Sequence, residues 1–405
     1  MRATETAARL TEFRHRGAGT DAERRAAGWL ARELRASRQP VRVDTFWCRP
    51  NSALAHAWHV LLALAGSLVA VSSPRVGGVL VLLALLSVLA DWVSGRSLGR
   101  RLTPEHATQN VVSPAAGDRM RLIITANYDA GRTGLAYRRP LRRAASALRR
   151  AGGRLVPGWL AWLVIELLVL LVVAVLRDGG ATGTGVGIIQ LIPTAALVVE
   201  LAALLELAGA GYGPSAGDNA SGTGVALALA RALHASPPRR LDVELVLQGA
   251  GESGMIGLRR HLRARRKERT AANTIVLGIG PCGAGDPTWW ASDGPLLPLA
   301  FGRRLQELAA WVAAPGAETP VPTGHRGRGT SPALPARMAG LPAITIGCLD
   351  ERGMVPRSHQ TDDRVETLDD AAIDGLLQFA LTLVDAVDAD LAHSQAPTGP
   401  TRAAA

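Results

Sequence analysis

The chain is expected to form an α/β fold interrupted by two membrane hairpins, and three observations predict it. Short apolar runs that end in small or polar residues alternate with stretches at helical spacing, the pattern of strands and helices around one sheet. Four apolar runs, residues 53–73, 76–94, 157–176 and 186–208, approach the ~20 residues that cross a bilayer, and they fall in two pairs. An acidic turn, Gly217-Asp218-Asn219-Ala220-Ser221-Gly222-Thr223-Gly224, leads straight into an apolar helix at 225–233.

Taken in order, residues 1–38 read as helix, turn, helix. Gly17-Ala18-Gly19-Thr20 breaks the pattern, and Thr20 or Asp21 caps the second helix. Residues 41–46 alternate and read as a strand. The first pair of apolar runs is broken by Pro74-Arg75 and the second by Arg177-Asp178-Gly179-Gly180. Between the pairs, strands are expected at 110–112 and 121–129, the second ending in a polar cluster. A dense basic stretch follows, with Arg138, Arg139, Arg142, Arg143, Arg149, Arg150 and Arg154. Pro193 is expected to bend the fourth apolar helix.

At the acidic turn, Asp218 or Asn219 is the expected helix cap, because a short side-chain oxygen accepts free N–H groups of the first turn. Beyond it, strands are predicted at 241–247, 274–280 and 341–347, and a basic helix at 259–269. A loop at 353–363 carries His359, a closing helix spans 368–388, and a polar tail is expected to be disordered. The resulting plan is a soluble domain in three pieces, 1–52, 95–156 and 209–391, with hairpins at 53–94 and 157–208 and a tail at 392–405.

Composition narrows the function. The chain has 405 residues, 48% of them hydrophobic, and a net charge of +11 carried almost wholly by arginine. Aromatics make up 4% and do not interleave with basic residues, which argues against nucleic acid. A membrane surface explains the basic excess better. Arginine-rich segments flank both hairpins, while the turns inside them carry little charge. By the positive-inside rule both termini and the middle segment face the cytoplasm, and arginines before Pro157 sit among anionic lipid head groups. The first fifty residues are charged throughout, so no cleavable signal peptide is expected. Cys48, Cys282 and Cys348 have no metal-finger spacing and read as small buried hydrophobes. Glu166 and Glu200 fall inside apolar runs, where a carboxyl is costly. They read as bundle contacts or, less simply, as a proton or ligand site between helices.

Taken together, the soluble segments resemble the aminopeptidase Y and bacterial leucyl aminopeptidase family of di-zinc exopeptidases, which includes glutamate carboxypeptidase. The likeness runs from the amino-terminal Gly-Thr and helix through Asn110-Val111-Val112 to His359-Gln360-Thr361-Asp362-Asp363. It implies a mixed sheet flanked by helices, into which both hairpins are inserted. It also implies a metal site only partly retained. Asp218 matches the bridging aspartate, Glu252 the second-zinc glutamate and His359 the second-zinc histidine. Asp129 matches the aspartate behind the first motif. Where the family has its first-zinc histidine this chain has Asn127, the general base is replaced by Gly251, and the strand-end aspartate by Gly278.

The resemblance therefore implies one zinc at most, on Asp218, Glu252 and His359. An amide oxygen is a weak zinc ligand and glycine offers none. Without a base, catalysis would lose typically 10²–10⁴-fold. Asp286 and His325 lie in loops that could supply a substitute, though each reads more simply as an ordinary loop residue. The expectation is a membrane-embedded exopeptidase-like protein that binds a peptide, a metabolite or a partner. The alternative is an active one-zinc aminopeptidase or amide hydrolase.

Overall fold

In the computed structural model, residues 2–153, 156–314 and 324–394 are described. Two helices, α1 (Ala3–Thr11) and α2 (Asp21–Ala36), lead into strand β1 (Arg42–Cys48). Thr20 caps α2 as expected, its Oγ1 accepting the Glu23 N–H at 3.2 Å. Helices α3 (Ser52–Val69) and α4 (Pro74–Ser94) form the first hairpin, and α5 (Leu98–Arg101) returns the chain to the sheet. Strands β2 (His106–Ser113) and β3 (Met120–Asn127) follow. Most of the basic stretch is a helix, α6 (Arg139–Gly152), Arg154 lying outside the described residues, and the second hairpin is α7 (Trp159–Asp178) with α8 (Thr184–Gly209).

A tight turn at Ala216–Ser221 enters α9 (Gly222–Ala235). After it come β4 (Leu241–Gln248), α10 (Ile256–Ala264), β5 (Thr274–Ile279), β6 (Asp286–Asp293) and β7 (Leu299–Ala300). The chain closes through α11 (Arg303–Ala313), β8 (His325–Arg326), α12 (Leu334–Met338), β9 (Ala343–Leu349) and α13 (Asp370–Ser394). Helix α13 enters the first residues of the expected tail; 395–405 lie outside the described residues. Strand β6 is a departure from the sequence reading, which puts Asp286 in a loop; it pairs with Leu349 of β9.

The sheet is mixed, in the order β1-β2-β4-β3-β5-β9-β6-β7, with β8 on β6. Strands β4, β3, β5 and β9 run parallel to one another. Alternation along β3 builds both layers. Leu122, Ile124 and Ala126 pack with α1, α2, α9 and α13, while Ile123 packs with residues of α10 and α12. The carboxyl ends of β3, β4 and β5 thus open side by side, where a parallel sheet presents its ligands.

Helices α3, α4, α7 and α8 are each long and apolar enough to cross a membrane. They pack as one bundle around Val60, Leu64, Val81, Leu85, Leu163, Leu167 and Leu197. The outer faces leave large apolar residues exposed, among them Leu82, Leu86, Val172, Val175, Ile192 and Val199, a surface that water does not favour. At the tight end of the first hairpin Gly66 and Gly77 allow backbone contact; a Cβ on Gly77 would lie 2.4 Å from Ala70 N. Pro193 lies inside α8. Glu166 Oε2 is buried with no hydrogen-bond partner among the described residues.

The bundle is keyed to the sheet domain by polar contacts at its roots. Asn51 Nδ2 donates to Ala208 O at 3.1 Å, joining the two hairpins. Arg259 and Arg263 of α10 donate to Val93 O and Ser94 O at the end of α4, satisfying carbonyls that the helix leaves free. Asp91 is buried within α4 and accepts from Arg100 Nε at 2.6 Å and Ser97 Oγ at 2.9 Å. Arg100 also donates to Ser253 O at 3.4 Å, beside Glu252.

Candidate functional site

Most candidate residues lie at or after the end of a central strand, and Asp218 comes from the turn between two helices. Asn127 ends β3, and Asp129 is two residues on. Gly251 and Glu252 follow β4. Asp218 lies in the turn before α9, and His359 in the loop after β9. Several of these turns are held in unusual backbone shapes. Ser215, Ala250, Met255 and His359 have φ between 51° and 58°, a region costly for residues with a Cβ. Such outliers cluster where the surrounding fold over-determines a site.

One side of the site is closed by protein. Asn127 Nδ2 donates to Glu252 Oε1 at 2.7 Å. Its Oδ1 accepts from Asn219 Nδ2 at 2.9 Å. Asn127 thus spends both ends of its amide on neighbouring side chains. A Cβ on Gly251 would lie 2.1 Å from the Asn127 Cβ, so the two residues fit only because position 251 is bare. Asp129 lies behind them, its oxygens accepting from Gly251 N at 2.8 Å and Glu252 N at 3.0 Å. Gly278 pairs with Thr125, two residues before Asn127 on β3, and a Cβ there would meet Ala333 N at 2.7 Å.

The other side is open. His359 Nε2 and Glu252 Oε2 face each other at 3.6 Å. The His359 Nδ1–H donates to Arg132 O at 2.9 Å, which leaves Nε2 as the free nitrogen. Tyr137 stacks on the imidazole at 4.1 Å with planes 11° apart. Gly131 allows the approach, since a Cβ there would lie 2.5 Å from the imidazole and 2.9 Å from Glu252 Oε2. These residues border a cavity of about 60 Å³, whose wall also includes Asn51 and Ser52 at the root of α3 and Leu207 of α8.

The electrostatics are lopsided. Burial, with the charges of Asp218 and Asp129, pushes the Glu252 carboxyl well above its usual range. Burial raises Asp129 to about 6 and Asp363 to about 6. Asp363 holds the Asp218 turn by accepting from Gly217 N at 2.8 Å and Asp218 N at 3.0 Å. The counter-charge is Arg16, fully buried, which donates to Tyr128 O at 3.0 Å, Pro214 O at 2.7 Å and Ser215 O at 2.6 Å. Burial lowers its pKa to about 10, against the opposing pull of Asp129, Asp363, Glu252 and Asp218. Nothing local in the sequence singles out Arg16 among so many arginines.

Zinc is the metal that the resemblance implies. Its donor types are here, and the His359 hydrogen bond orients the ring as a ligand requires. Yet among the described residues no three His, Cys, Asp or Glu side chains stand close enough to hold a metal ion. Glu252 and His359 are brought together and Asp218 is not gathered with them, so the arrangement does not fit a bound zinc as it stands.

Two further expectations change. Asp218 and Asn219 do not cap α9, which has no side-chain cap. Asn219 turns inward to Asn127, and Thr223 Oγ1 donates to Asn127 O at 2.9 Å. Asp286 sits exposed at the start of β6, and His325 packs edge-on against Trp290 at 5.3 Å, two strands beyond β5. Cys48, Cys282 and Cys348 are buried and free, as expected.

An α/β sheet with its functional turns at the carboxyl ends of central strands defines the class. Residues 204–384, which carry Asp218, Glu252 and His359, match the sequence profile of peptidase family M28. Over that stretch the chain is similar to peptidase family M28. Its fold is similar to Legionella pneumophila LapA aminopeptidase (12% identity, TM-score 0.51, 96% of this chain and 71% of that one). It is also similar to a Bacteroides thetaiotaomicron leucine aminopeptidase precursor (13%, TM-score 0.52, 95% of each chain). A Bacteroides thetaiotaomicron glutaminyl cyclase bound to N-acetylhistamine is comparably similar (13%, TM-score 0.52, 95% of this chain and 96% of that one). No curated protein matches the chain significantly by sequence.

Proposed function

We propose that the chain is a membrane-embedded, exopeptidase-like binding protein that has lost two-metal hydrolysis and holds one metal or none. The observation that carries this reading is the packing of Asn127 against Gly251. It fills the place of the first metal ligand and leaves no room for a water-activating carboxylate. The remaining chemistry suits a cation. The Glu252 carboxyl borders the cavity with its pKa held up by burial, so an incoming cation would supply the counter-charge it lacks, while Arg16 is spent on backbone carbonyls. The ligand is then a peptide or metabolite presenting a free amino group. Both termini and the sheet domain lie on the cytoplasmic side, in line with the arginines around the hairpins.

Full-length protein in lipid nanodiscs tests this with a set of short peptides, each with a free and an acetylated amino terminus. Saturable binding of the free forms, with no shortening of any peptide in zinc-supplemented buffer, is the expected result. Peptide shortening that disappears in Glu252→Gln would overturn the proposal.

A second reading, an amide-cleaving enzyme, is favoured by the intact pairing of Glu252 with His359. Cyclisation of an amino-terminal glutamine is its most demanding probe. There the substrate's own amine is the nucleophile, so no water need be activated; the amine's proton passes to the departing amide nitrogen, which leaves as ammonia, with Glu252 as the carboxyl at hand to carry it. Release of ammonia from such a peptide, abolished in His359→Ala, would establish this reading.

A further inference from the structure

Helix α6 is amphipathic in an inverted sense. At 100° per residue, Leu141, Ala144, Ala145 and Leu148 share one side, while Arg139, Arg142, Ser146, Arg149 and Arg150 share the other. In a water-soluble domain the leucine side would face the protein. Here the polar side does. Ser146 is the one buried side chain of the helix, and its Oγ donates to Arg352 O at 3.3 Å. Arg142 donates to Val355 O at 2.6 Å, and Arg139 pairs with Asp362. Leu141 and Leu148 are left 55% and 58% exposed.

We propose that α6 is an interfacial helix whose leucine side is covered by an anionic lipid surface, and that this seating holds the His359 loop in place. The proposal rests on the membrane reading of the bundle. Three observations select lipid as the occupant. The helix joins α7 through residues 153–158, so its end is tethered where that span begins. The first turn of α7 exposes Trp159 and Trp162, residue types that settle at head-group level. Arg143, Arg149 and Arg150 of the same helix reach solvent, and such long side chains bend toward head groups, supplying the charge that draws such a helix onto acidic lipid.

The link to the site is direct. Tyr137, which stacks on His359, lies two residues before α6, and its carbonyl accepts from Gln360. Arg132, on the same segment, accepts the imidazole N–H. The loop that carries His359 is therefore held by α6 on one side and by its lead-in segment on the other.

A fluorophore on Leu148→Cys, in nanodiscs of phosphatidylcholine with and without roughly a third phosphatidylglycerol, tests the seating; the native cysteines are buried. Quenching by lipids with shallow spin labels is expected, and more strongly with the acidic lipid. Each of Arg143→Gln, Arg149→Gln and Arg150→Gln should lower the seated-to-unseated ratio roughly fivefold. A control label at Val199→Cys, on the outer face of α8, reports whether the bundle is in lipid. Label 148 in water while label 199 is quenched would overturn the proposal alone. Both labels in water would overturn the membrane reading with it, and label 148 buried but unquenched would assign the face to a protein partner. For the unmodified chain, slower hydrogen exchange at 352–360 in the acidic discs is expected. Equal exchange in both discs would remove the coupling to His359.

Discussion

The two halves of the site differ in who satisfies their polar groups. On the Asn127–Gly251 half every group points at protein: the amide at Glu252 and Asn219, the Asp129 oxygens at backbone N–H groups. On the Glu252–His359 half, His359 Nε2 and Glu252 Oε2 face a cavity. The closed half is a packed wall, and a side chain added at Gly251 meets sterics before it meets chemistry.

Arg16 serves both halves, so its removal should have the largest effect. Arg16→Met takes a donor from three carbonyls, of which Ser215 O keeps the Ala220 N–H, and leaves a group of carboxylates without its counter-charge. The expected loss is about 3–5 kcal/mol, read as thermal unfolding in detergent. Hydrogen exchange should then rise at both the 127–131 and 215–219 turns. A rise at only one would break the picture of a common support.

Gly251→Glu comes next. Its Cβ would overlap that of Asn127, neither of which can swing aside. About 1–3 kcal/mol of destabilisation is expected, without gain of hydrolysis. A stable, hydrolytic Gly251→Glu protein would show that the wall is open after all.

Asn127→Ala should cost about 1–2 kcal/mol, because Glu252 and Asn219 each lose a partner. Unchanged stability would mean that the amide is idle and the two halves are alike. The smallest stability change, within about 0.5 kcal/mol, is expected for His359→Ala. That variant should nevertheless lose saturable peptide binding in nanodiscs; retained binding would place the ligand elsewhere.

The hairpins extend the same lesson. Lipid-length apolar runs are legible at once, because twenty residues of one character need no partner to be recognised. That the hairpins join in one bundle, through Leu64, Leu85, Leu167 and Leu197, depends on contacts between segments far apart in the chain. The basic stretch shows the limit most clearly. Its charge is plain in the sequence, but its helix, and the side it turns outward, are settled by Ser146 and Arg142 meeting the 352–355 backbone.

What the sequence determined by itself was local: the Thr20 cap, the period of β3 and α9, the four long apolar runs, and the motif positions at Asp218, Glu252 and His359. These rest on interactions within a few residues, which a periodic pattern records. Strand β6 escaped because a proline and its terminal aspartates dilute that pattern, while pairing with β9 supplies the missing support. Tertiary structure alone decided that Asn219 turns inward to Asn127 rather than capping α9, that Arg16 reaches Pro214 and Ser215 from far along the chain, and that Gly251 is bare to admit Asn127. Each is a long-range packing or charge contact. Such contacts depend on which atoms the fold brings within a few ångströms, a quantity that residue order does not carry.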